Sequence, residues 1–227
     1  MSTWASLLNQ DCSSPLMEQL IFFHDHVMMI LTMITIMVMY MILALSYSPL
    51  INRFTTEGQE VEVMWTILPI ITLVFIAFPS LRLLYLSDEV ESPTMTIKTI
   101  GHQWYWSYEY SDFLNMQFDA HMTPQEELPL SGFRLLDVDN RTLIPTNTKT
   151  RVLMTAADVI QAWTVLALAV KSDAVPGRLN QVSLYITRPG LYTGQCSEIC
   201  GANHSFMPIM IETTPINTLS KWIKSMS

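Results

Sequence analysis

Two long stretches without charged residues constrain this chain more than any other feature. No Asp, Glu, Lys or Arg occurs between Asp25 and Arg53, and none occurs between Glu62 and Arg82. An α-helix rises about 1.5 Å per residue, so about 20 apolar residues cross the ~30 Å hydrocarbon core of a bilayer. The two stretches therefore predict two transmembrane helices.

We place these helices at about residues 20–45 and 63–86, which gives a helical hairpin with both chain ends on the same side of the membrane. The first stretch has no basic segment before it and no small-residue cleavage motif after it, which argues against a cleaved signal peptide. The hairpin and its N-terminal segment occupy residues 1–90. Residues 91–227 have the charge density of an ordinary soluble domain.

The second predicted helix contains Pro69 and Pro79, which predict kinks. A membrane helix tolerates such prolines where a neighbouring helix satisfies the carbonyls they free. His24, Asp25 and His26 lie at the start of the first helix. We interpret them as hydrated polar anchors, with metal binding as the alternative.

From Met95 onward, the pattern changes to short runs rich in β-branched and aromatic residues, separated by turn signals. Strands without intervening helices predict an antiparallel sandwich or barrel. Residues 217–226 are amphipathic and predict a short terminal helix. The runs predicted as strands are MTIKTI, QWYWSYEY, FRLLDVD, TRVLMTA, AWTVLALAV and QVSLYIT.

The formal net charge of −8 argues against a nucleic-acid partner. It suits a basic protein partner or metal ions, and a solvated surface excess of charge explains it equally well. The chain has 3 cysteines, so a disulfide framework is excluded.

The segment GQCSEICGANHSFMP carries the clearest chemical signal. Cys196, Cys200, His204 and Met207 bring thiolate, imidazole and thioether donors close together in sequence, a combination that selects copper over magnesium, calcium or manganese. A disulfide or two buried cysteines would explain the cysteines alone but not the histidine and methionine. Zinc has little use for a thioether. The segment therefore predicts a copper-binding loop.

This loop resembles the copper loop of the cytochrome c oxidase subunit 2 family, which holds the dinuclear copper centre called CuA. The resemblance covers nearly the whole chain and is greatest to mitochondrially encoded, arthropod-like members. It implies a cupredoxin-like all-β sandwich that follows an N-terminal two-helix transmembrane hairpin. The other matching segments are SPLMEQLIFFHDH, QEVEVMWTILP, PSLRLLYLSDE, GHQWYWSYEYSD, FRLLDVDNR and DAVPGRLNQ.

The resemblance implies a subunit of a proton-translocating respiratory oxidase. Electrons from cytochrome c reach CuA and pass to haem a of subunit 1, where oxygen is reduced to water. The chain would then lie in the mitochondrial inner membrane, beside subunit 1 and other oxidase subunits. Its copper domain would face the intermembrane space.

Site residues follow from the resemblance by matching position. Cys196 and Cys200 bridge the two coppers, and His204 and Met207 are terminal ligands. The backbone carbonyl of Glu198 contacts one copper, and its carboxylate helps to bind a magnesium ion at the subunit 1 interface.

Further roles match residues outside the loop. Trp104 resembles the residue through which electrons arrive, with aromatic packing on a strand as the alternative. Glu109, Asp139 and Asp158 match acidic positions that attract the lysines of cytochrome c. Glu62 resembles the carboxylate at the mouth of a proton channel into subunit 1, and a simple interfacial anchor is the alternative.

The chain departs from the family at one copper ligand, because Gln161 stands where the family has a second histidine. An imidazole nitrogen is a good equatorial ligand for copper, whereas an amide oxygen is hard and neutral. We therefore predict weak copper binding without the normal mixed-valence spectrum. Four neighbouring family residues (Ser, Pro, Ser and Gly) are also replaced, by Ala162, Leu166, Ala167 and Ala169.

The replacements at Leu166 and Ala169 predict strain in the turn after the strand that carries Gln161. His102 and His121 belong to the same domain, but the sequence does not place either of them at the copper site. The chain is then either an altered copy or a functional one with an unusual ligand.

Two further functions stay open. A quinol-oxidase-like subunit would keep this fold as a structural module without copper, and loss of one histidine is a step in that direction. Retention of the other copper donors argues against it. A free membrane-anchored copper protein is the other alternative, but Glu62 and Glu198 are best explained beside a large partner.

Overall fold

The structure is a computed structural model that describes residues 9–89, 92–113 and 116–226. The chain forms two compact units, a hairpin unit of Gln19–Leu86 and a β unit that combines the residues before and after it. The residues just before the hairpin thus group with the β unit, although the sequence assigned them to the membrane part. The reason is hydrogen bonding: Ser13 N donates to Ala167 O (3.1 Å) and Ser14 Oγ donates to Leu168 O (2.8 Å).

Two long helices make up the hairpin, α1 (Pro15–Tyr47) and α2 (Gln59–Asp88), and both extend beyond the predicted spans. They are long and apolar enough to cross a membrane. At the start of α1, Ser14 Oγ accepts a hydrogen bond from Met17 N (3.1 Å), and the proline follows at the first helical position.

A histidine links the two helices where a proline interrupts the second. Pro79 has no N–H, so the carbonyl of Phe75 loses its usual helical donor. His26 Nε2 lies 3.2 Å from this carbonyl oxygen. A carbonyl can only accept, so the ring nitrogen is the donor. His26 therefore links α1 to α2 and is not simply a hydrated anchor, whereas His24 Nδ1 lies 3.2 Å from Asp25 Oδ1.

The described part of the β unit contains ten strands and the terminal helix α3 (Ile216–Met226). Their order is β3-β2-β1-β5-β8 in one sheet, β4-β10-β9 in a second and β6-β7 in a third. The strands are β1 (Met95–His102), β2 (Tyr105–Tyr110), β3 (Gln117–Ala120), β4 (Thr142–Pro145), β5 (Lys149–Ala156), β6 (Gln161–Val165), β7 (Val170–Ala174), β8 (Asn180–Tyr185), β9 (Gly190–Gln195) and β10 (Pro208–Thr214).

The strand pairing is mixed, so the prediction of a purely antiparallel arrangement was wrong. β1 pairs in parallel with β5, and β4 pairs in parallel with β10. Parallel partners need a long connection. In the chain, strands β2 to β4 lie between β1 and β5, and strands β5 to β9 lie between β4 and β10. The sequence pattern identifies strands but not their partners.

Two predicted strand runs differ in the structure. The run FRLLDVD forms a turn instead of a strand, because Leu135 has a left-handed φ of 68° and Phe133 O accepts from both Leu136 N and Asp137 N. The run AWTVLALAV is divided into β6 and β7 by the 3₁₀ turn Leu166–Leu168.

Residues of all three sheets form one core. Burial alternates along β5, so every second side chain faces this core. Trp106, Met154 and Trp163 are fully buried, and Trp163 Nε1 donates to Tyr108 Oη (3.3 Å). Cys196 and Cys200, the two cysteines of the predicted copper-binding loop, belong to the same core cluster. The predicted copper-binding loop is therefore anchored to the hydrophobic core through its cysteines.

Candidate metal centre

The loop that carries the donors, residues 196–207, joins two paired strands. In the register of β9 and β10, Gln195 lies opposite Pro208. Cys196 and Met207 are the next residues, so they leave the sheet at the same end. A 3₁₀ turn, His204–Phe206, brings the chain back to β10. The pairing of β9 with β10 therefore holds the two ends of the loop close together.

The donor atoms of this loop converge. The ligand atoms of Cys196, Cys200 and His204 all lie within 4.8 Å of one another. Cys200 Sγ is 3.5 Å from His204 Nδ1 and 3.5 Å from Met207 Sδ. The carbonyl oxygen of Glu198 lies 3.4 Å from Cys196 Sγ. The structure therefore places all five predicted loop residues at one point, and the soft donors among them match copper.

The donors are shielded from water. Exposure is 6% for Cys196, 5% for Cys200 and 1% for Met207, while His204 is partly exposed at the edge. Burial, together with the nearby charges of Cys196 and Asp158, raises the pKa of the Cys200 thiol to about 12. The thiol is therefore protonated at neutral pH in the metal-free protein. A metal that binds here must displace that proton.

The turn between β1 and β2 packs directly on the loop. Gln103 Nε2 donates to the carbonyl of Cys200 (2.8 Å). The ring of Trp104 lies so close to Gly201 that a Cβ there would be 3.1 Å from Cζ2 and 3.2 Å from Nε1. Gly201 also has a φ of +124°, which disfavours other residues. Sequence reasoning missed Gln103; its only signal is that it directly precedes Trp104.

Two of the predicted docking carboxylates have partners of their own. Asp158 Oδ2 accepts from Gln103 N (2.8 Å), so Asp158 holds the Trp104 turn in place. Glu109 forms an ion pair with Lys98 (2.8 Å), which offsets its charge. Of these two, Asp158 is the one that contacts the turn.

The third predicted docking carboxylate, Asp139, is hydrogen-bonded to a residue of an aromatic stack. Asp139 Oδ1 accepts from His121 N (2.7 Å). The ring of Tyr105 lies between those of His102 and His121, with centroid distances of 4.5 Å to each. The two histidines that the sequence could not place therefore lie on either side of Tyr105, beside Trp104 in the chain.

Glu62 lies in the hairpin unit, in the first turn of α2, and its side chain is exposed. Its backbone carbonyl accepts from Thr66 Oγ1 (2.8 Å). The structure thus does not group Glu62 with the residues of the β unit.

Gln161 is the first residue of β6 and is fully buried. Its Nε2 donates to His102 O (2.6 Å), and its Oε1 has no hydrogen-bond partner among the described residues. A Cβ on Gly101 would lie 1.7 Å from this Oε1, so the amide occupies the space that the glycine leaves. The next residue, Ala162, accepts from Ser197 N (3.1 Å), which ties β6 to the loop.

Family models match both units of the chain. The transmembrane domain of cytochrome c oxidase subunit II matches residues 2–83, and the periplasmic domain of the same subunit matches residues 95–214. The chain belongs to the cytochrome c oxidase subunit II family.

Relatives of cytochrome c oxidase subunit II match over nearly the whole chain. The protein from Drosophila yakuba is 63% identical over 99% of this chain and 99% of its own length. The protein from Simulium vittatum is 62% identical over 100% of this chain and 99% of its own length.

Solved structures of subunit II match the β unit. The periplasmic domain of subunit II from Bradyrhizobium japonicum has 43% identity and a TM-score of 0.57, covering 61% of this chain and 96% of that one. A mixed disulfide intermediate between a thioredoxin-like protein and subunit II contains a chain with 40% identity and a TM-score of 0.54, covering 62% and 95%.

Membership in the subunit II family makes this chain a membrane-bound subunit of cytochrome c oxidase. The family is copper-binding, and the cluster of Cys196, Cys200 and His204 is present in the fold. The expected cupredoxin-like domain after two apolar helices is thereby confirmed.

Proposed function

We propose that this subunit receives electrons from cytochrome c at a copper centre in the loop 196–207. It passes them to haem a of subunit 1, where oxygen is reduced to water. The observation that carries the proposal is the cluster of Cys196, Cys200 and His204, whose ligand atoms lie within 4.8 Å of one another. The thioether of Met207 beside Cys200 adds a donor that favours copper over zinc.

When bound, copper supplies an electron carrier that changes between two oxidation states. The chain contributes the thiols that lose their protons, the imidazole of His204 and the dry surroundings. The resemblance implies a pair of coppers, which the thiols of Cys196 and Cys200 would hold together. The amide of Gln161 does not fit the second nitrogen position of such a pair, because it is a hard donor and is already bonded to His102 O.

Trp104 is the proposed point at which electrons arrive. Its indole lies against Gly201 of the loop and is partly exposed, so it connects the surface with the donors. Gln103 Nε2 and Asp158 Oδ2 hold this turn from both sides. A fixed indole keeps the distance from a docked haem edge to the loop constant.

Glu109, Asp139 and Asp158 are the proposed docking acids for the basic surface of cytochrome c. Charges of this kind raise the rate of association more than the final affinity, and salt screens them. Since Lys98 pairs with Glu109, we expect Asp139 and Asp158 to contribute more.

The remaining roles concern the rest of the oxidase. Glu62 is proposed at the mouth of a proton channel into subunit 1, where its exposed position in α2 leaves the carboxylate available. The carboxylate of Glu198 is proposed to help bind magnesium at the interface with subunit 1. The proposed location is the mitochondrial inner membrane, with the copper domain in the intermembrane space.

The test compares two cysteine substitutions in the assembled oxidase. Cys200→Ser removes one of the two thiols of the loop. It should abolish the oxidation of reduced cytochrome c, and the subunit should no longer bind copper. Cys12→Ser is the matched control, because Cys12 lies outside the loop and should leave both unchanged. Equal activity in the two variants would show that the loop does not carry the electrons.

A second candidate function is a structural subunit of a quinol oxidase. The one observation in its favour is Gln161, which replaces a copper ligand of the family pattern. Oxidation of quinol without oxidation of cytochrome c by the unmodified complex would support this function instead.

A further inference from the structure

We propose that this chain holds a single copper ion in place of a pair, and that Gln161 anchors strand β6 to strand β1 instead of binding metal. This inference rests on the proposed function of the loop. It addresses how many ions the loop holds and which residues hold them.

The amide of Gln161 donates a hydrogen bond through its nitrogen, while its oxygen packs beside Gly101 without a hydrogen-bond partner among the described residues. Its Nε2 donates to His102 O at 2.6 Å. A Cβ on Gly101 would lie 1.7 Å from Oε1 of Gln161 and 2.9 Å from its Cδ, so the amide occupies the space that the glycine leaves. The side chain therefore lies against β1, fully buried. Turning Oε1 towards a metal would break the hydrogen bond to the carbonyl of His102 and leave that partly buried carbonyl without this donor.

The remaining donors suffice for one ion. Two thiolates, one imidazole nitrogen and one thioether make a four-coordinate set of soft and borderline ligands, which suits copper in its reduced state. All four come from Cys196, Cys200, His204 and Met207.

A pair of copper ions would need more strong ligands than the loop provides. Two coppers that share both thiolates each require a strong terminal donor, and the loop supplies only the imidazole of His204. Within the described residues, no other histidine joins this cluster. The rings of His102 and His121 stack on Tyr105, with centroid distances of 4.5 Å. A second ion would be left with a thioether or a peptide carbonyl, which bind copper weakly.

The hydrogen bond of Gln161 also indicates how a pair could be restored. A histidine that binds a metal usually donates its other ring N–H to a backbone carbonyl. His102 O is already in the place of such an acceptor, and Gly101 leaves room for a ring. Gln161→His should therefore gain a second copper without further changes.

The experiment uses the full-length chain in detergent, loaded with excess copper and then dialysed. Copper per chain is measured by elemental analysis. The sample is then treated with ferricyanide, because reduced copper has no unpaired electron, and the electron paramagnetic resonance spectrum of the oxidised chain shows whether the unpaired electron is shared. We expect about one copper and a spectrum split by one nucleus in the unmodified chain, and twice that copper with a shared electron in Gln161→His. Gln161→Leu, which has no donor atom, should keep the copper of the unmodified chain.

Three results would overturn the inference. Two tightly bound coppers with a shared electron in the unmodified chain would show that a pair forms with Gln161 present. Loss of copper in Gln161→Leu, with the fold intact by circular dichroism, would show that the amide is a ligand. No gain of copper in a folded Gln161→His would remove the proposed cause. Absence of copper from every variant would refute the proposed function itself.

Discussion

Replacing Ala169 with glycine should stabilise the β unit. Ala169 follows the 3₁₀ turn Leu166–Leu168 in a left-handed conformation, with φ 56° and ψ 38°, and its N–H bonds to Leu166 O. A Cβ in this conformation costs about 1–2 kcal/mol. The greater freedom of glycine in the unfolded chain offsets about 0.5–1 kcal/mol of the gain. The net stabilisation is therefore about 0–1.5 kcal/mol, with a central value of about 0.7 kcal/mol, or up to about 6 °C in Tm for a domain of this size.

The assay is thermal unfolding of the full-length chain in detergent, followed by near-ultraviolet circular dichroism of the buried tryptophans in the β unit. Ala157→Gly is the matched control, because Ala157 is not among the described non-glycine residues with positive φ. This control substitution should lower the free energy of unfolding by about 0.5–1 kcal/mol. If Ala169→Gly lowered Tm by as much as the control, the left-handed turn would carry no strain and the reasoning would be refuted.

Three further predictions concern the hairpin, the Trp104 turn and the Cys200 thiol. His26→Phe should destabilise the hairpin by about 1 kcal/mol, because it removes the donor to Phe75 O; His24→Phe is the control in helix melting, and equal losses would contradict the link. Trp104→Phe should slow the oxidation of reduced cytochrome c at unchanged copper content, whereas Trp222→Phe on α3 should not, and rapid mixing distinguishes the two. Folding raises the pKa of Cys200 to about 12, so the thiol ionises first in the unfolded chain, and the free energy of unfolding of the metal-free chain should fall as the pH rises above about 9. Denaturant titrations at pH 8.5 and about 10 check this loss, which Cys200→Ser should remove; an identical slope in that variant would assign it to other groups.

The features that could be predicted from sequence are those encoded by neighbouring residues. Charge-free stretches of bilayer length identify a membrane hairpin because burial of charge in lipid is costly. The loop that begins at Cys196 could be predicted as a copper site because its donors lie on one short segment. The strand pairing at its two ends then brings Cys196 and Met207 together.

The features that could not be predicted depend on residues far apart in the chain. The bond from Gln103 to Cys200 O, and the packing of Gln161 against Gly101, appear only once β1, β6 and the loop are assembled. The turn at Leu135 is also hidden, because its apolar neighbours resemble those of a strand while its backbone is left-handed. The local sequence pattern indicates which side chains are buried, but it does not indicate which segments of the chain contact one another.

The oxidation state of the copper in the loop tests the central claim most directly. The copper-loaded full-length chain is mixed without oxygen with one equivalent of reduced cytochrome c, and the X-ray absorption edge of copper is recorded together with the visible spectrum of the haem. The account predicts that copper bound by Cys196, Cys200, His204 and Met207 becomes reduced as the haem becomes oxidised in equal amount. An edge that stays in the oxidised position beside a reduced haem, with copper still bound, would contradict it.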